Sequence, residues 1–201
     1  MNRRFLIILA VAAALAAAAG AGAAYLISAT TYKPSIEIPG DKTLPDFTLV
    51  DQYGREFTLS SVKGKVIMIY FGYTHCPDVC PLVLTKFKQL ISALGADADK
   101  VALLFITTDP ERDTPEAMRS YIQHYSDRIV GLGGDPARVY EVLEKYNVYA
   151  AKGEVDERGN YFVDHFALIL GADRKMILRM ALTPEMDLQE YVNGVRYLLS
   201  R

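Results

Sequence analysis

Only two cysteines occur in this chain, no proline stands between Pro136 and Pro184, and no charged residue lies between Arg4 and Lys33. Each shortage narrows what the protein can be. Cys76 and Cys80 have three residues between them, so a disulfide joining them would close a very short loop. Such a loop removes little entropy from the unfolded chain, so the pair is poorly placed as a structural staple. Basic residues form no stripe and no block of like charge marks a tail, which excludes the electrostatic footprint of a nucleic-acid-binding protein. No internal repeat is visible, and the length suits one domain plus an appendage.

The uncharged stretch, Phe5 to Ala29, is that appendage. At roughly 1.5 Å per residue it is long enough to cross a hydrocarbon core about 30 Å thick. Arg3 and Arg4 are the only charges before Lys33, which places residues 1–4 in the cytoplasm and the body of the chain beyond the membrane. The expected organisation is a transmembrane anchor over 5–29, a Pro/Gly-containing linker over 30–43 and one domain over 44–201. The expected setting is a bacterial inner membrane crossed once, with that domain in the periplasm. A cleaved signal peptide is the competing reading, because Ala19-Gly20-Ala21 and Ala21-Gly22-Ala23 resemble small-residue cleavage sites. The apolar run continues past both through Tyr25-Leu26-Ile27, which favours an anchor. No cysteine near its end indicates lipid attachment. All 24 acidic residues and 20 of the 22 basic ones lie beyond it, so the exported domain carries about −4.

Along the domain, Asp46 to Leu59 alternates apolar and polar residues around Gly54, the pattern of a β-hairpin. Lys65 to Phe71 and Val101 to Thr108 are apolar runs, as central buried strands are. Helical spacing follows over Leu82–Leu94. Asp113 or Thr114 caps a second helix with Pro115 at its first position. A short helix is expected over 138–146, a polar hairpin tip over 154–160, a further hairpin from strands 166–170 and 176–181, and a terminal helix over 187–199. The order β-α-β-α and then β-β-α implies an α/β protein, a thioredoxin-like mixed sheet with helices on both faces and an extra N-terminal hairpin.

Both cysteines sit in Tyr73-Thr-His-Cys-Pro-Asp-Val-Cys-Pro81, directly after the first buried strand. Ligands in open α/β sheets bind beyond the carboxyl ends of strands. Residues four apart on a helix share a face, so both sulfurs are expected to point the same way. A helix N-terminus favours thiolate, the form that reacts and that binds metal, and protonated His75 would add to this.

The missing proline matters here. Thioredoxin-like reductases use Cys-x-x-Cys and face it with a cis-proline, yet this spacing is one residue longer. Tyr161-Phe-Val-Asp-His165 stands in the proline's place in the chain order. Two thiolates and an imidazole form an S₂N set that suits copper in either oxidation state and would also accept zinc. A redox-active dithiol uses the same cysteines without needing His165. Peroxidase chemistry is disfavoured, because Ile69 and Tyr73 replace the proline and threonine of the peroxiredoxin pattern. His75 reads equally as an exposed loop residue, His124 as an ordinary helix-surface residue, and Asp164 as a hairpin polar residue or a partner that orients His165.

Gly72-Tyr-Thr-His-Cys-Pro-Asp-Val-Cys-Pro81, Thr108-Asp-Pro-Glu-Arg-Asp-Thr-Pro-Glu116 and Val163-Asp-His165 together resemble the Sco/SenC (PrrC) family from about Leu44 onward. The resemblance implies a membrane-anchored copper metallochaperone that binds one copper ion, Cu(I) or Cu(II), and assists assembly of the CuA site of cytochrome c oxidase. It implies Cys76, Cys80 and His165 as the ligands, with Asp78 and residues 108–116 shaping the site or the partner surface. Implied partners are the oxidase subunit that carries CuA and another copper chaperone as donor. The alternative implied activity is a thiol-disulfide oxidoreductase that keeps partner cysteines reduced. Phe166, where the family often has Ser or Thr, and Gly131-Leu-Gly-Gly, where a Thr is frequent, depart from the pattern without removing a ligand.

Overall fold

The computed structural model describes residues 3–201; Met1 and Asn2, half of the expected cytoplasmic segment, lie outside the described residues. In chain order the elements are α1 (Arg3–Thr31), β1 (Ile36–Glu37), β2 (Thr48–Asp51), β3 (Glu56–Thr58), β4 (Val66–Gly72), α2 (Val79–Leu94), β5 (Val101–Thr107) and α3 (Pro115–Ile122). Then come β6 (Ile129–Gly133), α4 (Pro136–Lys145), β7 (Ala150–Lys152), β8 (Val163–His165), β9 (Ile169–Ala172), β10 (Leu178–Leu182) and α5 (Leu188–Leu199).

The centre follows from the two apolar runs. Every residue of β4 and β5 is buried, and the strands pair in parallel from Val66↔Val101 to Gly72↔Thr107. Successive side chains alternate between the two faces. Met68, Tyr70, Leu103 and Phe105 join Leu84, Phe87 and Leu90 of α2, Met118 of α3 and Val195 and Leu198 of α5. Ile67, Ile69, Phe71, Leu104 and Ile106 face Val139, Val142 and Leu143 of α4 on the other side. Strands covered on both faces need no polar residues, which is why these runs are continuous rather than alternating.

The eight-stranded sheet has the order β1-β10-β9-β4-β5-β6-β2-β3, and β7 pairs with β8 in a separate ribbon. The expected hairpin is present as β2 and β3, from Thr48↔Thr58 to Val50↔Glu56. Thr114, not Asp113, caps α3: its side chain accepts from the Ala117 amide, with Pro115 in the first turn. The periodicity did not anticipate β6, an Ile-Val-Gly-Leu-Gly segment too short and glycine-rich to signal a strand. Gly131 lies under α3, where a Cβ would fall 2.4 Å from Met118 Cγ, so the glycine permits that helix to close on the sheet.

A second difference concerns residues 30–43. Helix α1 reaches Thr31, and β1 then pairs with β10 at Ile36↔Ala181 and Glu37↔Met180. Thr43 bridges Ile177, and the Leu44 amide donates to Met176 O at 2.8 Å. The sheet therefore begins ahead of residue 44, and the segment is stitched to its edge instead of spanning free space. Within α1, Leu6–Ala23 is exposed and is apolar and long enough to cross a membrane.

Candidate metal centre

Strand β4 delivers the chain to one end of the sheet, where a turn from Tyr73 O to the Cys76 amide (3.3 Å) leads into α2. Cys80 lies in the first turn of that helix and is buried, whereas Cys76 precedes the helix and is half-buried. The two sulfurs therefore do not converge through helical spacing, as expected from their separation. Instead the loop curls so that the Cys80 amide donates to Cys76 Sγ at 3.4 Å. Gly72 makes room beneath: a Cβ there would sit 2.7 Å from Cys80 Sγ. Tyr70 approaches the same sulfur with its hydroxyl at 3.5 Å.

His165 arrives from the ribbon, where β8 pairs with β7 at Ala150↔His165. Its Nε2 lies 3.7 Å from Cys80 Sγ, and the ligand atoms of Cys76, Cys80 and His165 all fall within 4.8 Å of one another. Nδ1 is 3.2 Å from Phe166 O. A carbonyl can only accept, so Nδ1 donates to it, and Nε2 is the ring nitrogen left facing the sulfurs. Tyr73 and Tyr70 meet the imidazole edge-on, with ring centroids at 5.6 and 6.2 Å, and restrict its rotation. Thus residues 85 positions apart in the chain form one donor set.

Two groups of residues hold this geometry. Buried Asp113 accepts from Thr107 Oγ1 (2.6 Å), Thr74 Oγ1 (2.6 Å) and the Thr74 amide (3.1 Å), tying the cysteine loop to the end of β5. Burial raises the Asp113 carboxyl above its ordinary range, against these hydrogen bonds. The second group pins the ribbon. Tyr161 Oη donates to Asp109 Oδ1 at 2.9 Å, and Arg112 binds Asp109 Oδ2 while its guanidinium lies 3.5 Å from the centre of the Tyr161 ring. Lys152 covers the ring at 4.0 Å and pairs with Glu111. Tyr73 Oη then accepts from the Val163 amide at 3.2 Å, close to His165. The 108–116 motif thus holds the imidazole-bearing ribbon against the sheet. Sequence reasoning assigned the motif to the site or a partner surface but missed Tyr161, Tyr70 and Gly72, whose only prior signal is their closeness to His165 and the cysteine loop.

The two thiols differ electrostatically. A hydrogen bond from the Cys80 thiol is the main reason that Cys76 falls to about 3, with the His165 side chain and the Cys80 and Asp78 amides helping and burial opposing. Bonding to Cys76 and burial drive Cys80 upward. At neutral pH the pair is therefore one thiolate and one thiol, coupled through the shared proton.

The other singled-out residues stand apart. His75 is half-exposed, with Nδ1 3.0 Å from Thr74 Oγ1 and 3.8 Å from Asp113 Oδ1, so it faces the loop support instead of the sulfurs. Asp164 is exposed, and the Nδ1 partner of His165 is the Phe166 carbonyl. His124 is exposed just past α3, and Asp78 is an exposed N-cap of α2 without a side-chain capping bond. Phe166 is partly exposed beside the site, together with Phe162 and Tyr149 of the ribbon region.

The SCO1/SenC family model matches residues 37–200. A SCO2-like protein of Rickettsia conorii is 35% identical over 149 residues, covering 73% of this chain and 70% of that protein. The mitochondrial SCO2 homolog of Bos taurus is 43% identical over 122 residues, which cover 60% of this chain and 46% of that one. Among solved structures, Bradyrhizobium japonicum ScoI with copper bound superposes with a TM-score of 0.73 at 40% identity, covering 79% of this chain and all of that one.

Proposed function

The chain belongs to the SCO1/SenC family, and from that premise we propose that it carries one copper ion between Cys76, Cys80 and His165 and hands it on during assembly of cytochrome c oxidase. The observation that carries the proposal is the convergence of two sulfurs and one imidazole nitrogen within 4.8 Å. Cys76 supplies a thiolate, and Cys80 becomes a second one when the metal displaces its proton. Two thiolates suffice for Cu(I), while the imidazole chiefly favours Cu(II). Cargo held at one end of the sheet and only half-buried at Cys76 is accessible to an acceptor. The acceptor we propose is the oxidase subunit that carries CuA, with another copper chaperone as the donor.

A dithiol reading draws on one specific feature. Cys76 is the half-buried, more accessible thiolate and Cys80 the buried thiol behind it, the arrangement of an attacking and a resolving sulfur. His165→Ala separates the two. In vitro the variant is expected to lose Cu(II) affinity far more than Cu(I) affinity, and to form the Cys76–Cys80 disulfide as readily as the parent. In a strain that lacks the gene, complemented under limiting copper, the variant is expected to leave cytochrome c oxidase inactive. Full oxidase activity would reject copper delivery and favour the reductase.

The proposed organisation is residues 1–4 in the cytoplasm, 5–29 retained as a single anchor in a bacterial inner membrane, and the domain in the periplasm. Full-length protein should remain in the membrane fraction after a carbonate wash at its uncleaved mass. A soluble species that begins near Gly22 or Ala24 would show cleavage instead.

A further inference from the structure

A polar cleft of about 540 Å³ opens at the end of the sheet opposite the metal centre. Strand β9 runs antiparallel to β4, with Ile67↔Ala172 and Tyr70↔Ile169, so the turn over 173–177 lies at the start of β4 and the cysteine loop leaves its end. The six-residue advance from Val66 to Gly72 separates the two ends by about 20 Å.

Tyr32 and Lys33, which follow directly on α1, line this cleft, so the apolar helix joins the domain here. The junction is tied down. Tyr32 Oη donates to Glu190 Oε1 at 2.8 Å, Ser35 Oγ reaches the same oxygen at 2.7 Å, and the Tyr32 ring meets Tyr197 edge-on at 6.1 Å. Across the cleft, Asp173 Oδ1 accepts from the Lys175 and Ile177 amides and presents Lys175 at the tip of a fixed turn. Arg179 bonds Asp173 and Asp41, which accounts for the buried acid. Glu37 accepts from Tyr197 Oη at 3.4 Å. Among the described residues, Lys33 and Lys175 have no carboxylate partner, and Arg201 lies over the Tyr197 ring at 4.5 Å.

We propose that this cleft binds the phosphate of an anionic phospholipid headgroup and so holds the domain upright, with Cys76, Cys80 and His165 turned away from the bilayer. The inference rests on α1 being retained as the anchor. Ammonium groups bind phosphate as point charges, and an exposed guanidinium adds a planar fork. Their attraction to a membrane surface fades within a Debye length of about 8–10 Å, so only cations beside the end of the membrane helix can use it. Tyrosines such as Tyr32 and Tyr197 favour the same headgroup depth. Free phosphate offers the same chemistry, but the position directly after α1 selects the lipid.

The test uses full-length protein in nanodiscs of phosphatidylcholine, with and without phosphatidylglycerol, and reads amide hydrogen exchange. Phosphatidylglycerol should slow exchange several-fold over residues 173–179 and 197–201. Lys33→Glu with Lys175→Glu should erase that difference, whereas Arg119→Glu, an exposed reversal on α3, should keep it. Equal exchange in both lipids overturns the proposal. Protection by added inorganic phosphate in phosphatidylcholine discs, with none from phosphatidylglycerol, also overturns the lipid assignment. Recovery of uncleaved protein in pure phosphatidylcholine discs tests the anchor by itself, so failure of the anchor and failure of the cleft are distinguishable.

Discussion

At the scale of single residues, Gly72 limits the centre more tightly than its lack of a side chain suggests. A methyl there would meet Cys80 Sγ at 2.7 Å and the Phe105 and Tyr70 rings at 3.0 Å, none of them able to retreat far in a packed core. Gly72→Ala is expected to destabilise the domain by about 1–3 kcal/mol through overpacking. It should also displace Cys80 Sγ and weaken copper binding, while Cys76 keeps its reactivity toward alkylating reagents. Urea denaturation and copper titration of the same variant check both parts. His165 differs in kind, since its Nδ1 is held by the neighbouring Phe166 carbonyl and its Nε2 is thereby aimed at the sulfurs before any metal arrives.

At the scale of elements, the ribbon of β7 and β8 is the mobile candidate, because only three residue pairs join its strands and it stands outside the main sheet. Its position depends on side chains from the loop after β5. Tyr161→Phe removes the hydrogen bond to the Asp109 carboxylate and leaves the ring on Arg112. A hydrogen bond to a charged group contributes about 1.5–3 kcal/mol, so the cost is expected to fall in that range. Amide exchange should accelerate over 150–165 and remain unchanged in β4 and β5, with Cu(II) retention weakened more than Cu(I) retention. Unchanged exchange in the ribbon would show that the pin is not what holds His165. The same loop serves both neighbours: Asp113 binds the cysteine loop, while Asp109 and Arg112 hold Tyr161 beside the ribbon.

At the scale of the whole molecule, one acid supports the edge that joins the 36–44 segment to β10. Burial alone would raise the Asp173 carboxyl, but bonds from Arg179 and from the Ile177 and Lys175 amides outweigh it and hold the group below its usual range. The unfolded chain titrates near about 3.9, so the folded state binds that proton less readily. The resulting stability is fully present above the unfolded value and is lost as pH falls through the lower folded one. Asp173→Asn should therefore cost about 1–3 kcal/mol near neutral pH, and the gap to the parent should shrink as the solution is acidified through about pH 3. Denaturant midpoints at the two pH values measure it, and a gap that widens on acidification would contradict the sign. The layout also places this edge and the end of the apolar helix α1 at one end of the sheet and the donor set at the other.

What the sequence determined by itself is mostly local. Apolar runs marked β4 and β5, Thr114 and Pro115 marked the start of α3, and Gly54 marked the hairpin of β2 and β3, because burial, capping and turn chemistry act between near neighbours. Spacing also brought Cys76 and Cys80 together as a pair, although by a turn ahead of α2 and not along a helical face. His165 was legible from the missing proline and from family resemblance, but its approach to Cys80 depends on the ribbon crossing the end of β4. The stacking of Arg112 on Tyr161, the return of residues 36–44 to β10 and the strand at 129–133 left no periodic trace. Tertiary structure decided these. They join positions far apart in the chain, and a non-local contact depends on how the whole sheet closes rather than on any window of residues that one could read along it.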